Sequence, residues 1–232
     1  SIIKKIDKPL TTYGIENSDA DIIAENILQK NGKTTFNVII DDQKFLVNLA
    51  LPGRYNVYNA LAAISVCYTM GIKAEDICNA LSSFSGVKRR FDIKSKKSVM
   101  IVDDYAHHPV EVSNVISATK ENWNKKLNVI FQPHLFSRTK KFYKDFADAL
   151  MKADSIMITE IFGAREKNDI SISSQLIIDE KTKLKHPNVS FIPIDKVVDK
   201  VKSIATNEDI FLTIGAGNIW RCSEELGKYF ND

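Results

Sequence analysis

Four short polar stretches carry most of the residues in this chain that could bind or move charge. They are Asp103-Asp104-Tyr105-Ala106-His107-His108, Gln132-Pro133-His134-Leu135-Phe136-Ser137-Arg138-Thr139, Glu160-Ile161-Phe162-Gly163-Ala164-Arg165-Glu166-Lys167 and Gly215-Ala216-Gly217-Asn218-Ile219-Trp220. Carboxylates accept hydrogen bonds, guanidinium groups offer planar sets of donors, and imidazoles titrate near neutrality. Such a set fits a charged ligand. Metal binding by His107, His108 and His134 with Asp103 or Asp104 is the weaker reading, because adjacent histidines tend to point apart and no H-x-x-x-H pair occurs. No metal site is expected. Gly215-Ala216-Gly217 is similar to the start of a dinucleotide fingerprint, yet Trp220 stands at its third glycine. Only twelve residues follow Trp220, too few to reach the acidic residue expected about 20 positions further on. That argues against NAD and leaves a glycine turn whose backbone N–H groups could face an anion.

Each stretch follows an apolar run, at residues 99–102, 127–131, 155–161 and 210–214, and a fifth run lies at 189–192. Continuous apolar runs fit strands buried on both faces of a parallel sheet. Helical spacing separates them. Pro109 fits a first helical turn, with Val112, Val115, Ile116 and Thr119 behind it. Phe142, Phe146 and Leu150 share a face over 140–151, as do Val197, Val201 and Ile204 over 195–205, and these read as core. The expected fold is α/β and Rossmann-like, with a mostly parallel sheet of five to six strands. In open sheets of this kind ligands bind beyond the carboxyl ends of the strands.

Residues 1–50 have a different rhythm. Short β-rich segments at 11–15, 21–28, 34–40 and 44–49 are separated by Asn31-Gly32 and Asp41-Asp42, which predicts a set of antiparallel strands. Gly32-Lys33-Thr34-Thr35 is no phosphate loop, since Ile27 stands where the first glycine belongs and a strand follows. A helix is expected over 57–70 with Gly71 as its stop, and a second over 74–84. Asn56, three residues before Asn59, reads most simply as an N-cap. Residues 85–92, with three consecutive cations, form either a solvated connector or a hinge that touches phosphate or ribose. The domain boundary is expected near residue 95, giving units 1–95 and 96–232.

The 32 basic and 29 acidic residues are scattered, so the net charge of +3 makes no nucleic-acid stripe. Cys67, Cys78 and Cys222 form neither a disulfide framework nor a zinc motif, which favours a reducing, cytoplasmic setting. No apolar run reaches membrane-spanning length and no signal peptide is evident. The chain begins at Ser1, as an excised piece of a longer protein would.

Five segments together resemble the Mur ligases of bacterial cell-wall synthesis, in the family's own order. They are Leu51-Pro52-Gly53-Arg54-Tyr55-Asn56-Val57-Tyr58-Asn59-Ala60, Gly86-Val87-Lys88-Arg89-Arg90-Phe91, Asp103 through Pro109, Phe131-Gln132-Pro133-His134 with Ser137-Arg138-Thr139, and Gly215-Ala216-Gly217. The Val-Lys-Arg-Arg-Phe and Asp-Asp-Tyr-Ala-His-His elements are most similar to the alanine-adding members. The resemblance implies an ATP-dependent ligase, acting through an acyl phosphate, that joins L-alanine to UDP-N-acetylmuramate in peptidoglycan synthesis. It implies that residues 1–95 end a central ATPase domain and that 96–232 form the ligase domain. The UDP-binding domain, the phosphate loop and most Mg²⁺ ligands would lie in missing upstream segments of the same polypeptide, so the piece alone should be inactive. By the same resemblance Asn56, Asn59, Arg90, Asp104 and His107 face ATP. Tyr105, Arg138, Glu160 and Arg165 face the substrates, and His108, His134 and Arg138 are the catalytic candidates.

Three positions depart from the family pattern. Tyr55 replaces a usual histidine, Leu135 a frequent arginine, and Asn218 a usual aspartate. Leu135 cannot replace a cation, which leaves carboxylate binding to Arg138. The competing readings are a stand-alone nucleotide- or anion-binding module without catalysis, and metal-dependent hydrolysis, for which bound metal is expected to be absent.

Overall fold

A computed structural model describes residues 6–167 and 169–232. The chain divides into two compact units between Ser85 and Gly86.

In the first unit β1 (Tyr13–Ile15), β2 (Ile22–Lys30), β3 (Lys33–Ile40) and β4 (Gln43–Leu49) form one sheet in that order. Along β3, Thr34, Phe36, Val38 and Ile40 are buried and alternate with half-buried residues, as a strand with one covered face requires. Positive φ at Asn31 and Gly32, and again at Asp41 and Asp42, makes the two tight turns that reverse the chain. One expectation fails here. β1 runs parallel to β2, not antiparallel, because the intervening chain turns back at Asn17–Ala20 and is pinned by the Asp21 carboxylate to the Thr12 amide and hydroxyl at 2.6 and 2.7 Å. Helices α1 (Arg54–Thr69) and α2 (Ala74–Ser83) cover the sheet, burying Val57, Leu61 and Ile64 against Phe36, Val38 and Val47.

In the second unit β5 (Asp92–Ser95), β6 (Met100–Asp104), β7 (Lys126–Phe131), β8 (Ser155–Ile158), β9 (Val189–Phe191) and β10 (Asp209–Ile214) form a six-stranded sheet in the order β5-β6-β10-β7-β8-β9. All neighbours are parallel except β5 and β6. The antiparallel edge strand β5 explains why the division falls ahead of residue 95: its backbone is committed to this sheet. Helices α3 (Pro109–Asn122), α4 (Phe136–Ala149), α5 (Gln175–Lys183), α6 (Val197–Ile204) and α7 (Trp220–Asn231) make the crossovers and the end of the chain. Ile101, Ile130 and Phe211 pack with Val197, Val201 and Leu226 of α6 and α7. Phe131, the next residue after Ile130, faces the other way and meets Phe146 of α4 at 5.1 Å. Ile204, expected in the core, is instead exposed at the end of α6. Among the described residues no helix is long and apolar enough to cross a membrane.

Candidate functional site

The last strand in sequence, β10, is inserted between the first two parallel strands, and this sets the site. Ile214 lies level with Asp104 on one side and Phe131 on the other, and Phe131 is level with Ile158. Four loops therefore leave the sheet at one height. Gly215 N donates to Asp104 O and Gln132 N to Ile214 O, extending the ladder by a step into the loops.

The Asp103-Asp104 pair is buried. Asp104 accepts the Phe91 and Ala106 amides, both at 2.8 Å, one on each carboxylate oxygen. Burial pushes its pKa up to about 6, although those two bonds and the Arg90 charge pull the other way. Asp103 accepts the Thr213 hydroxyl at 2.7 Å and Arg89 Nε at 3.2 Å, and burial raises it too, against both partners. Asp104, assigned to a ligand by resemblance, is thus turned inward to fix the backbone of residues 91 and 106. The two peptide N–H groups give each oxygen a partner, yet they do not offset the loss of solvent.

That bonding folds residues 89–92 against the end of β6. Arg89 and Phe91 take positive φ, the Arg89 carbonyl accepts the Tyr105 amide, and Arg89 Nη2 donates to Gly215 O at 2.6 Å. The guanidinium carbons of Arg89 and Arg90 lie 4.7 and 5.6 Å from the Tyr105 ring centre, a cation–π arrangement. Arg89 is inward and bonded; Arg90 is exposed and can meet an anion.

His107 and His134 meet edge to face at 6.0 Å, and His134 stacks on Phe162 at 5.9 Å. A single β-bridge joins His134 to Phe162, so the loops after β7 and β8 are tied together. Arg138, in the first turn of α4, brings Nη1 to 3.2 Å from His134 Nδ1. Burial first, then the charges of Arg138 and His107, hold His134 below the ordinary histidine range, while Glu166 opposes them. A neutral His134 accepts from Arg138 at Nδ1, leaving its Nε2 protonated. His108 points away, against Phe142 at 5.2 Å, so Phe142 belongs partly to the site and not wholly to the core. Glu111 accepts the backbone N–H of both His107 and His108 and fixes the start of α3.

The glycine pair is explained by Gln132. A Cβ on Gly215, whose φ is +154, would lie 2.7 Å from Gln132 O, and one on Gly217 would lie 2.6 Å from Phe162 Cγ. Only glycine lets the chain pass so close. The Gln132 side chain then accepts from Ile219 N and donates to Asn218 Oδ1 at 2.8 Å. Asn218 therefore keeps the acceptor that the loop needs.

Some expected residues are elsewhere. Glu160 accepts the Ile194 amide at 3.0 Å, which holds the 3-10 turn before α6 and turns it from the His134 cluster. Arg165 is exposed on the same loop as Phe162. In the first unit Gly53, not Asn56, is the N-cap of α1, because its φ of +98 lets the helix begin three residues early. Asn56 sits in the first turn, donates to Pro52 O at 2.7 Å and accepts from Asn59 at 3.2 Å. Among the described residues no three His, Cys, Asp or Glu side chains gather to hold a metal. Arg89, Gln132, Thr213 and Glu111 hold the site together but are not among the residues that the sequence marks as candidates; Arg89 and Gln132 stand inside the segments that carry the resemblance, and Thr213 and Glu111 only near them.

Residues 89–217 match the family description "Mur ligase, glutamate ligase domain", and residues 1–67 match "Mur ligase middle domain". The UDP-N-acetylmuramate–L-alanine ligase of Clostridium kluyveri is 40% identical over 228 residues, 96% of this chain and 49% of that protein. The solved UDP-N-acetylmuramate-alanine ligase of Thermotoga maritima aligns with a TM-score of 0.79 at 28% identity, over 95% of this chain and 48% of that one. A MurF ligase of Thermotoga maritima solved in complex with ADP shares the fold, with a TM-score of 0.68 at 20% identity over 94% and 48% of the two chains. The chain spans about half the length of the curated relatives that it matches. With the first match covering β6, β7, β8 and β10 and more than half of the chain, this chain belongs to the Mur ligase family.

Proposed function

We propose that this chain is the amino-acid-adding part of an ATP-dependent ligase that joins L-alanine to UDP-N-acetylmuramate through an acyl phosphate. The observation that carries the reading is the cluster of Arg138, His134, His107 and Tyr105, drawn from the segments that follow β6 and β7 onto one rim. The names of the relatives supply the substrates. ATP would supply phosphoryl activation of a carboxylate, with ADP leaving; the amine then attacks the acyl carbon and phosphate leaves. The residues present fit such a nucleotide in part. Arg90 offers an exposed guanidinium beside Tyr105, suited to phosphate oxygens, whereas Asp104 is buried with each oxygen already bonded to a backbone amide, which disfavours a ribose contact. In the first unit Asn59 is the exposed member of the asparagine pair and the better candidate for a base. Mg²⁺ ligands are proposed to lie mainly outside this chain.

On this reading Arg138 binds the alanine carboxylate, His134 orients it, and His108 faces the outer wall with Phe142. Ligation depends on such positioning and on charge neutralisation. The test is alanine-dependent ADP formation by the full-length protein given UDP-N-acetylmuramate. Arg138→Ala should lower kcat/KM for alanine by about 100-fold, the scale of one lost charge-assisted pair. No alanine-dependent turnover in the unmodified protein would overturn the reading.

A further inference from the structure

Glu166 acts on His134 through its charge, and its carboxylate is bonded to Ser137, the residue before Arg138. One carboxylate oxygen accepts the Ser137 amide at 3.1 Å and the other is bonded to the Ser137 hydroxyl, at the first turn of α4. A tight turn, with Glu166 N on Gly163 O and positive φ at Ala164, brings it there. The same loop presents Phe162 to His134. Ser137 precedes Arg138 in the chain, so the carboxylate, the guanidinium and the imidazole stand on adjoining backbone.

We propose that Glu166 is a positioning and selectivity residue: it holds His134 and Arg138 towards one substrate carboxylate, and its charge rejects an amino acid carrying a second. The inference rests on the ligase reading and deepens it. The free amides at a helix start are a natural seat for an anion, and at α4 the protein fills that seat with its own carboxylate. Arg138 beside a neutral His134 carries one positive charge, and Glu166 brings one negative charge to the turn bonded to Ser137. An alanine carboxylate can still pair with Arg138. A glutamate or aspartate side chain meets Glu166 where open amides would otherwise have welcomed it. Like-charge juxtaposition of this kind is how sites exclude wrong ligands. The bonds that Ser137 gives Glu166 hold its carboxyl below the usual range, so it is charged at neutral pH.

The test compares kcat/KM for L-alanine and L-glutamate in the full-length protein with those of Glu166→Gln and Glu166→Asp. Glu166→Gln should lose a few-fold with alanine and raise the glutamate-to-alanine ratio by about tenfold, mainly through KM for glutamate. Glu166→Asp keeps the charge and should keep the original ratio. An unchanged ratio in Glu166→Gln, or the same rise in Glu166→Asp, overturns the proposal. Histidine NMR titration of this chain gives a second readout. The charged groups acting on His134 are Arg138, His107 and Glu166, so Glu166→Gln should move its midpoint down, and an unmoved midpoint also overturns the proposal. If the unmodified full-length protein fails to use alanine, the ligase reading falls by itself and the titration still decides whether Glu166 acts on His134.

Discussion

Arg89 Nε lies 3.2 Å from Asp103 Oδ2, in an ion pair whose acid is wholly buried and whose base is 22% exposed. The same guanidinium reaches Gly215 O, and the same acid accepts Thr213. The pair thus joins the chain before β5 to the ends of β6 and β10.

Removing Arg89 leaves a buried carboxylate with one hydroxyl partner. Arg89→Ala should cost about 3 kcal/mol, the scale for breaking a buried pair from one side, read as a lower urea midpoint at unchanged slope. Asp103→Asn removes the charge that needs compensation and should cost less. Equal losses in the two variants would contradict the buried-pair account.

Asp104 makes stability depend on pH in an unusual direction. Its pKa is raised from 3.8 to about 6 in the fold. Between those values the folded chain holds a proton that the unfolded chain has released, so stability falls as pH rises through the window. The full contribution is present below the unfolded value and is lost above about 6. A rise of that size corresponds to roughly 3 kcal/mol. Asp104→Asn cannot ionise, although its amide can satisfy only one of the Phe91 and Ala106 amides. Urea unfolding at pH 4 and pH 7 should therefore show the original protein losing ground to the variant as pH rises. A difference that is flat or grows in its favour would refute burial as the dominant influence on Asp104.

The strands and most helices were legible because apolar runs and helical spacing report burial directly. The convergence of four loops was legible too, since parallel strands must end on one side. Direction within that site was not. Asp104 and Glu160 are carboxylates in functional loops, but one faces the Phe91 and Ala106 amides and the other the Ile194 amide. The Phe91 and Ile194 amides come from distant positions, and such backbone donors leave no trace in local sequence. The parallel β1 was hidden for a similar reason, since it depends on Asp21 reaching Thr12. Arg89 and Arg90 are indistinguishable as residue types, and positive φ at Arg89 decides which one turns inward.

Gly217→Ala tests whether the β10–α7 loop is as closely fitted as it looks. The new methyl would press on the Gln132 side-chain oxygen and lie 2.6 Å from Phe162 Cγ. Gln132 is buried and already bonded to Ile219 N and Asn218, so it cannot simply swing away. Overpacking of this kind costs about 1–3 kcal/mol. The expected result is a lower melting temperature, with an altered His134 resonance, because Phe162 stacks on that ring. A melting temperature and His134 resonance both equal to those of the parent would show that the loop has room.

Arg138 and His134 offer the most direct check on the site's electrostatics. His134 is held below the ordinary histidine range first by burial and then by the positive charges of Arg138 and His107. A histidine depressed in this way lends its linked stability above its unfolded pKa, and the contribution is lost as pH falls and the folded ring must take a proton. Arg138→Ala removes one of the opposing charges, so the His134 midpoint should rise towards the ordinary value. Neutralising Glu166 should do the reverse. Two substitutions that remove opposite charges near one ring, moving its titration in opposite directions, would be hard to obtain from general loosening of the fold. Movement in the same direction for both would show that packing, not charge, controls His134.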